Sequence, residues 1–66
     1  MNYVSPEQTK KALELTGIKQ NAFARMTKVH RRYISEWLHG WRRLNDDHLA
    51  KITFGVAKIL AILKGF

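Results

Sequence analysis

The segment KQNAFARMTKVHRRYISEWLHG, residues 19–40, carries the strongest structural pattern in this chain. It holds two short helical patterns, at residues 20–27 and 31–39, on either side of a corner that is too short for anything but a tight turn. The apolar residues that recur at helical spacing in the second pattern are Ile34, Trp37 and Leu38. Two helices that cross steeply over such a corner form a helix-turn-helix, whose second helix can project from the protein surface.

The outward face of the second helical pattern is basic and rich in hydrogen-bonding groups. We expect the interior of the motif to contain Ala24, Val29, Ile34 and Trp37. The side chains that are then exposed together are His30, Arg31, Arg32, Ser35 and Glu36. Arginine can donate two hydrogen bonds to guanine O6 and N7, and glutamate accepts one from cytosine N4. A merely solvated charged face is the plainer interpretation, but the turn, the core spacing and the arginine pair occur together and favour DNA reading. The predicted base-reading residues are Arg31, Arg32, Ser35 and Glu36.

Residues 19–45 resemble the helix-turn-helix of the lambda-repressor and Cro family, and the two align without a gap. The run YISEW at residues 33–37 is similar to the family's common Y-I-S-x-W. The other residues that carry the resemblance are Gln20, Ala24, Val29, Gly40, Arg42 and Arg43. The resemblance implies an all-α fold, as a compact domain of four to five helices over residues 1–66. In size the chain is similar to small phage-type regulators, such as Cro proteins and anti-CRISPR-associated autoregulators. The family's base-reading positions correspond here to Arg31, Arg32 and Glu36.

Three positions in the motif depart from the family's pattern. Lys28 stands where the turn often has glycine, so we expect a residue with a Cβ atom to adopt a positive φ. Lys19 and His30 replace the Thr and Ser that usually cap the two helices. We therefore expect both helices of the motif to begin without a good N-cap.

A second group of polar residues surrounds the predicted recognition helix and is suited to binding the phosphates of the DNA backbone. Gln20 stands at the start of the first helix of the motif, where its side chain and nearby N–H groups can meet a phosphate. Arg42 and Arg43 follow the recognition helix, as the backbone-binding loop of the family does. The flanking residues that we also assign to phosphate binding are Lys19, Lys28, His30 and Tyr33. Trp41 lies in the same loop, and we interpret it as a cover for the edge of the core rather than as a DNA contact.

A helix is predicted before the motif. Ser5 can cap it, Pro6 is favoured at the first helical position, and Gln8 completes a capping box. We expect this helix to cover residues 6–16 and to end at Gly17, which can adopt the left-handed conformation. Its expected core contacts are Ala12, Leu13 and Leu15.

A longer helix is predicted after the motif. Asn45 can cap it, and Asp46 and Asp47 stand in its first turn, where the helix dipole favours negative charge. Its apolar residues at alternating steps of three and four are Leu49, Ile52, Val56, Ile59 and Leu63. This stripe can continue through Gly55 to Lys64, although a glycine in a helix interior costs about 1 kcal/mol and is a candidate break.

The last predicted helix is apolar on more than one face, and one small core does not cover such a surface. We therefore expect residues 54–66 to form a homodimer interface. The predicted interface residues are Phe54, Ile59, Leu60, Ile62, Leu63 and Phe66. The plainer alternative is that this whole segment is core of a monomer.

Composition limits the class of partner. Lys and Arg total 12 against five acids, and the resulting net charge of +7 favours an anionic partner such as nucleic acid. With no cysteine, no signal-like start and no apolar run of spanning length, we expect one small cytoplasmic domain that does not associate with membranes. Histidines at positions nine apart do not have metal-site spacing. No catalytic set is recognisable, so no enzyme activity, metal, cofactor or small-molecule ligand is expected.

The sequence therefore predicts a sequence-specific repressor that binds double-stranded DNA as a homodimer on an inverted repeat. The recognition helices, residues 31–39 of each copy, would enter the major groove about 34 Å apart, one turn of DNA. Two alternatives remain open: a cationic amphipathic membrane-active protein that acts through residues 54–66, and an antitoxin-type protein-interaction module. The complete set of caps, turns and core spacings in residues 5–45 favours the repressor over the membrane-active protein.

Overall fold

The computed structural model describes residues 2–64, most of which belong to α-helices. The helices are α1 (Pro6–Thr16), α2 (Gln20–Thr27), α3 (Arg31–Leu38) and α4 (Asp46–Leu63). α2 packs against α3 across the corner, α1 contacts α3 and α4, and α4 also packs on α2. The prediction of an all-α fold with four to five helices is confirmed, and residues 2–64 form four helices.

The helix ends follow from local sequence signals. The Ser5 hydroxyl accepts a hydrogen bond from the Gln8 N–H (3.1 Å), and the Gln8 side chain accepts one from the Ser5 N–H (2.9 Å), so the predicted capping box forms. Gly17 ends α1 with φ of 72°. Asn45 caps α4 by accepting a hydrogen bond from the His48 N–H (2.8 Å). α3 ends one residue earlier than predicted, because His39 is its C-cap.

One hydrophobic core lies between the helices. Its fully buried apolar side chains are Phe23, Ile34, Ile52 and Ile59. Burying a side chain of this size stabilises the fold by about 1.5–3 kcal/mol. The interior positions that were predicted for the motif are also buried: Ala24, Val29, Ile34 and Trp37. The core therefore holds α2 and α3 in a fixed relation to each other.

Leu15 does not contribute to the core as predicted, because its side chain is 57% exposed. α1 instead buries Thr9, Ala12 and Leu13, which follow one face at i, i+3 and i+4. Leu15 lies to one side of that face. A polar Thr9 is tolerated in the core because its hydroxyl donates a hydrogen bond to the Ser5 carbonyl (3.0 Å).

One prediction about the apolar residues of α4 is wrong. Ile59 does not belong to an exposed dimer interface, because it is fully buried in the core of its own chain. Leu63, which was predicted for the interface, is 51% exposed in the last turn of α4. Leu60 is half-buried against the core, whereas Phe54 and Ile62 are 71% and 63% exposed. Phe66 lies outside the described residues.

Of the two possibilities at Gly55, the continuous helix is observed, because α4 runs through this residue without a break. A Cβ atom at Gly55 would stand 2.6 Å from Cγ2 of Thr27 and 3.2 Å from Cε1 of Phe23. Both of those residues belong to α2. The glycine therefore allows α2 and α4 to approach closely, and the helix-turn-helix rests on α4 at this point.

Candidate nucleic-acid interface

The corner between α2 and α3 is formed by Lys28 and Val29. Lys28 has φ of 59°, as expected for a residue that takes the place of glycine, and its N–H donates to the Ala24 carbonyl (2.8 Å). Val29 is buried and fills the angle. The corner turns the apolar side of α3 inward, so the opposite side of α3 faces solvent.

An open cleft of about 450 Å³ brings the predicted base-reading residues together. The side chains that line it are Gln20, His30, Arg31, Arg32, Ser35 and Glu36. Arg31 and Arg32 are exposed, whereas Ser35 and Glu36 are half-buried. All four predicted base-reading residues thus share one surface with Gln20, the predicted phosphate ligand at the start of α2.

Glu36 accepts hydrogen bonds from two arginines. Arg42 Nε donates to Oε1 at 2.6 Å, and Arg32 Nε donates to Oε2 at 3.4 Å. The hydrogen bond from Arg42 is the main reason that the pKa of Glu36 lies below its ordinary value. Desolvation opposes this change, and the charges of Arg42 and Arg32 support it. A carboxylate therefore stands between one arginine of α3 and one arginine of the loop that follows it.

Tyr33 supports the same loop arginine from another side. The guanidinium carbon of Arg42 lies 4.4 Å from the centre of the Tyr33 ring, within the range of a cation–π contact. The rings of His30 and His48 flank Tyr33 at centroid distances of 5.7 and 5.8 Å. Three of the predicted phosphate-binding residues are therefore neighbours in space: His30, Tyr33 and Arg42.

The remaining predicted phosphate-binding residues surround this surface. Lys28 lines a neighbouring cleft together with His30 and Arg31. Lys19 lines a third cleft, which includes Gln20. Arg43 is exposed in the loop after α3. Positive side chains consequently lie on both flanks of the recognition helix.

Trp41 does not cover the edge of the core, contrary to the prediction. Its side chain is 75% exposed and stacks on the His39 ring at a centroid distance of 4.6 Å. Gly40 takes a positive φ of 79°, and the Trp41 N–H donates to the Glu36 carbonyl (2.8 Å), so the chain turns outward here. Leu44, which is 6% exposed, occupies the core instead.

His30 caps the recognition helix, although the sequence predicted that α3 would lack a good cap. Its Nδ1 accepts a hydrogen bond from the Arg32 N–H (3.1 Å), as a Ser or Asn oxygen would at this position. Lys19, in contrast, makes no side-chain cap for α2, as predicted.

We expect His30→Ala to lower the free energy of unfolding by about 1 kcal/mol, because the substitution removes the acceptor from the start of α3. Urea denaturation followed by far-UV circular dichroism measures this change. His30→Asn is the matched control, since Asn supplies a capping oxygen and should retain most of the stability. Equal losses for the two variants would show that the cap contributes nothing.

Three residues of this surface and its support were missed in the sequence. Asn21 accepts a hydrogen bond from Arg31 Nη1 (3.2 Å), His48 packs against Tyr33, and Leu44 closes the core. Each of these contacts crosses from one helix or loop to another. No local spacing rule connects such residues, although the apolar character of Leu44 within a basic loop was a usable signal.

Comparison with known proteins identifies the motif. A family model described as helix-turn-helix matches residues 10–53, which are 44 of the 66 residues. No curated protein and no solved structure matches the chain. Within residues 2–64, no group of three His, Asp or Glu side chains could hold a metal ion. No helix in that range is long and apolar enough to span a bilayer.

Proposed function

Because the chain belongs to the lambda-repressor/Cro-like helix-turn-helix family of DNA-binding transcription regulators, we propose that it is a sequence-specific repressor. It binds double-stranded DNA as a homodimer on an inverted repeat. The observation that carries this proposal is the open cleft in which Arg31 and Arg32 stand exposed beside Gln20.

The exposed side of α3 enters the major groove. Arg31 and Arg32 stand in its first turn, where the recognition helix of this motif approaches the base edges. Guanidinium groups there can donate to guanine O6 and N7. We assign base contacts to this side of α3, namely to Arg31, Arg32, Ser35 and Glu36.

The flanks of α3 hold the DNA backbone. Gln20 at the start of α2 lines the cleft of the base-reading residues, and Arg42 and Arg43 follow α3 in the chain. Contacts of this kind fix the register of the protein on the duplex without reading its sequence. The further phosphate ligands in this proposal are Lys19, Lys28, His30 and Tyr33.

Two copies of the chain bind together. α3 has eight residues and is about 12 Å long, so one copy reads a single half-site. The exposed apolar side chains Phe54, Ile62 and Leu63, with the half-buried Leu60, supply the interface in α4. A bound dimer prevents other proteins from occupying the DNA that it covers, and repression follows by occlusion.

In vitro selection with the purified protein and a library of random duplexes tests this function. We expect enrichment of an inverted repeat whose half-site centres lie about 10 base pairs apart. The double variant Arg31→Ala/Arg32→Ala is the control, and it should not enrich that repeat. If the wild-type protein enriches no sequence over bulk DNA, the proposal is wrong.

The homodimer makes a separate prediction. Light scattering after size-exclusion chromatography should give about twice the chain mass of 7.7 kDa for the wild type, and Phe54→Ser should shift the protein towards the monomer. Trp41→Ser is the matched control, because Trp41 is a similarly exposed aromatic residue outside α4. A wild type that remains monomeric at micromolar concentrations would contradict the dimer.

A further inference from the structure

Glu36 is the one acidic residue of α3, and it lies on the surface that is proposed to meet DNA. A carboxylate facing phosphates weakens binding by like-charge repulsion. A carboxylate at this position is therefore expected to have a role that offsets its repulsion of the DNA phosphates. The contacts of its two oxygen atoms indicate what that role is.

Both arginines that contact Glu36 donate through Nε. Arg42 binds Oε1 and Arg32 binds Oε2, so one carboxylate is shared by the two guanidinium groups. In the described hydrogen bonds, the terminal Nη groups of Arg32 and Arg42 are not used. The Nη groups are the ends of the side chain that can donate in pairs to a guanine or a phosphate.

The two arginines differ in exposure, in line with a base contact for Arg32 and a phosphate contact for Arg42. The Arg32 side chain is 75% exposed and belongs to α3, whereas the Arg42 side chain is 40% exposed and lies over Tyr33. The Glu36 side chain is only 25% exposed, so it is more buried than either partner. A half-buried carboxylate thus contacts an exposed arginine on one side and an arginine that Tyr33 supports on the other.

We propose that Glu36 is a positioning residue that orients Arg32 towards a base and Arg42 towards a phosphate. This inference rests on the proposed function. By holding both guanidinium groups through Nε, Glu36 lowers the conformational entropy that each arginine loses when it binds DNA. It also links base recognition on α3 to backbone contact in the following loop.

The direction in which one substitution changes DNA affinity distinguishes this role from a simple charge effect. Glu36→Gln adds one positive unit to a net charge of +7. Charge alone then predicts tighter binding to every DNA sequence. Positioning predicts weaker binding to the selected site, because a neutral amide holds the two arginines less firmly.

The first experiment measures dissociation constants for the selected site and for random DNA of equal length at several salt concentrations. We expect Glu36→Gln to bind the selected site with roughly tenfold lower affinity than the wild type. It should bind random DNA at least as tightly as the wild type. Glu36→Asp retains the charge but is one methylene shorter, and it should also lose affinity for the site. Glu14→Gln, with the same charge change on an exposed position of α1, should bind both DNAs slightly more tightly.

A second measurement uses the free protein and does not depend on DNA. The Nε–H resonances of Arg32 and Arg42 in nitrogen-15 NMR spectra should be shifted and protected from solvent exchange, and Glu36→Gln should abolish both effects. Unchanged resonances would overturn the positioning role even if the protein binds DNA as proposed. The role would also be wrong if Glu36→Gln tightened binding to the selected site as Glu14→Gln does.

Discussion

Gly55→Ala is expected to lower the free energy of unfolding by about 2–3 kcal/mol, because the added methyl group overpacks the contact between α4 and α2. The new Cβ would stand 2.6 Å from Cγ2 of Thr27, closer than carbon atoms can approach without movement. Helix propensity alone predicts the opposite sign, a gain of about 1 kcal/mol for Ala over Gly. Chemical denaturation of the two proteins decides between these outcomes.

Two further variants make the test of Gly55 specific. Thr27→Ser removes the methyl group nearest to the new Cβ but retains the hydroxyl, which donates to the Phe23 carbonyl (3.0 Å). In the Gly55→Ala background it should recover part of the lost stability. Ala57→Gly, at an exposed position of the same helix, should cost about 1 kcal/mol through propensity alone. A stabilised Gly55→Ala protein would mean that α2 and α4 do not approach so closely.

The arginines of the recognition helix should show the largest effects on DNA binding. We expect Arg31→Ala or Arg32→Ala to weaken binding to the selected site by about 1–3 kcal/mol when that side chain reads a guanine. The loss should be specific to the base pair that the arginine contacts. Fluorescence anisotropy with the selected duplex and with duplexes substituted at single positions measures both the loss and its position.

Arg43→Ala is the matched control, because it removes the same charge from the loop after α3. It should weaken binding to all sequences similarly and reduce the slope of log affinity against log salt by about one unit. If Arg31→Ala and Arg32→Ala each weakened binding to selected and to random DNA equally, neither arginine would contact a base. The assignment of α3 to the major groove would then be wrong.

Much of the candidate site could be predicted because α3 is amphipathic. Once Ile34 and Trp37 are assigned to the interior, helical geometry places Arg32 and Glu36 on the outside. The role of Glu36 did not follow from the same reasoning. Its stronger partner, Arg42, lies six residues later and beyond the end of the helix. The position of Arg42 depends on the turn at Gly40 and on its contact with Tyr33.

Local sequence signals alone predicted where the four helices begin and where α1 and α2 end. Ser5 and Asn45 cap α1 and α4 through atoms only three residues away, and Lys28 closes α2 within a single turn. Such signals act over one turn of backbone, so neighbouring residues are sufficient to predict them. In α3, the spacing of the apolar residues also predicts which face of the helix is buried.

In contrast, the packing of the helices determines which apolar side chains are covered, and local patterns do not predict it. Leu15 and Trp41 remain exposed, Ile59 is buried, and Gly55 is a contact point rather than a break. The physical reason is that burial depends on the distance to residues far away in the chain. The spacing of residues along a helix shows which side is apolar. The packing of α2 against α4 determines how much of that side is buried.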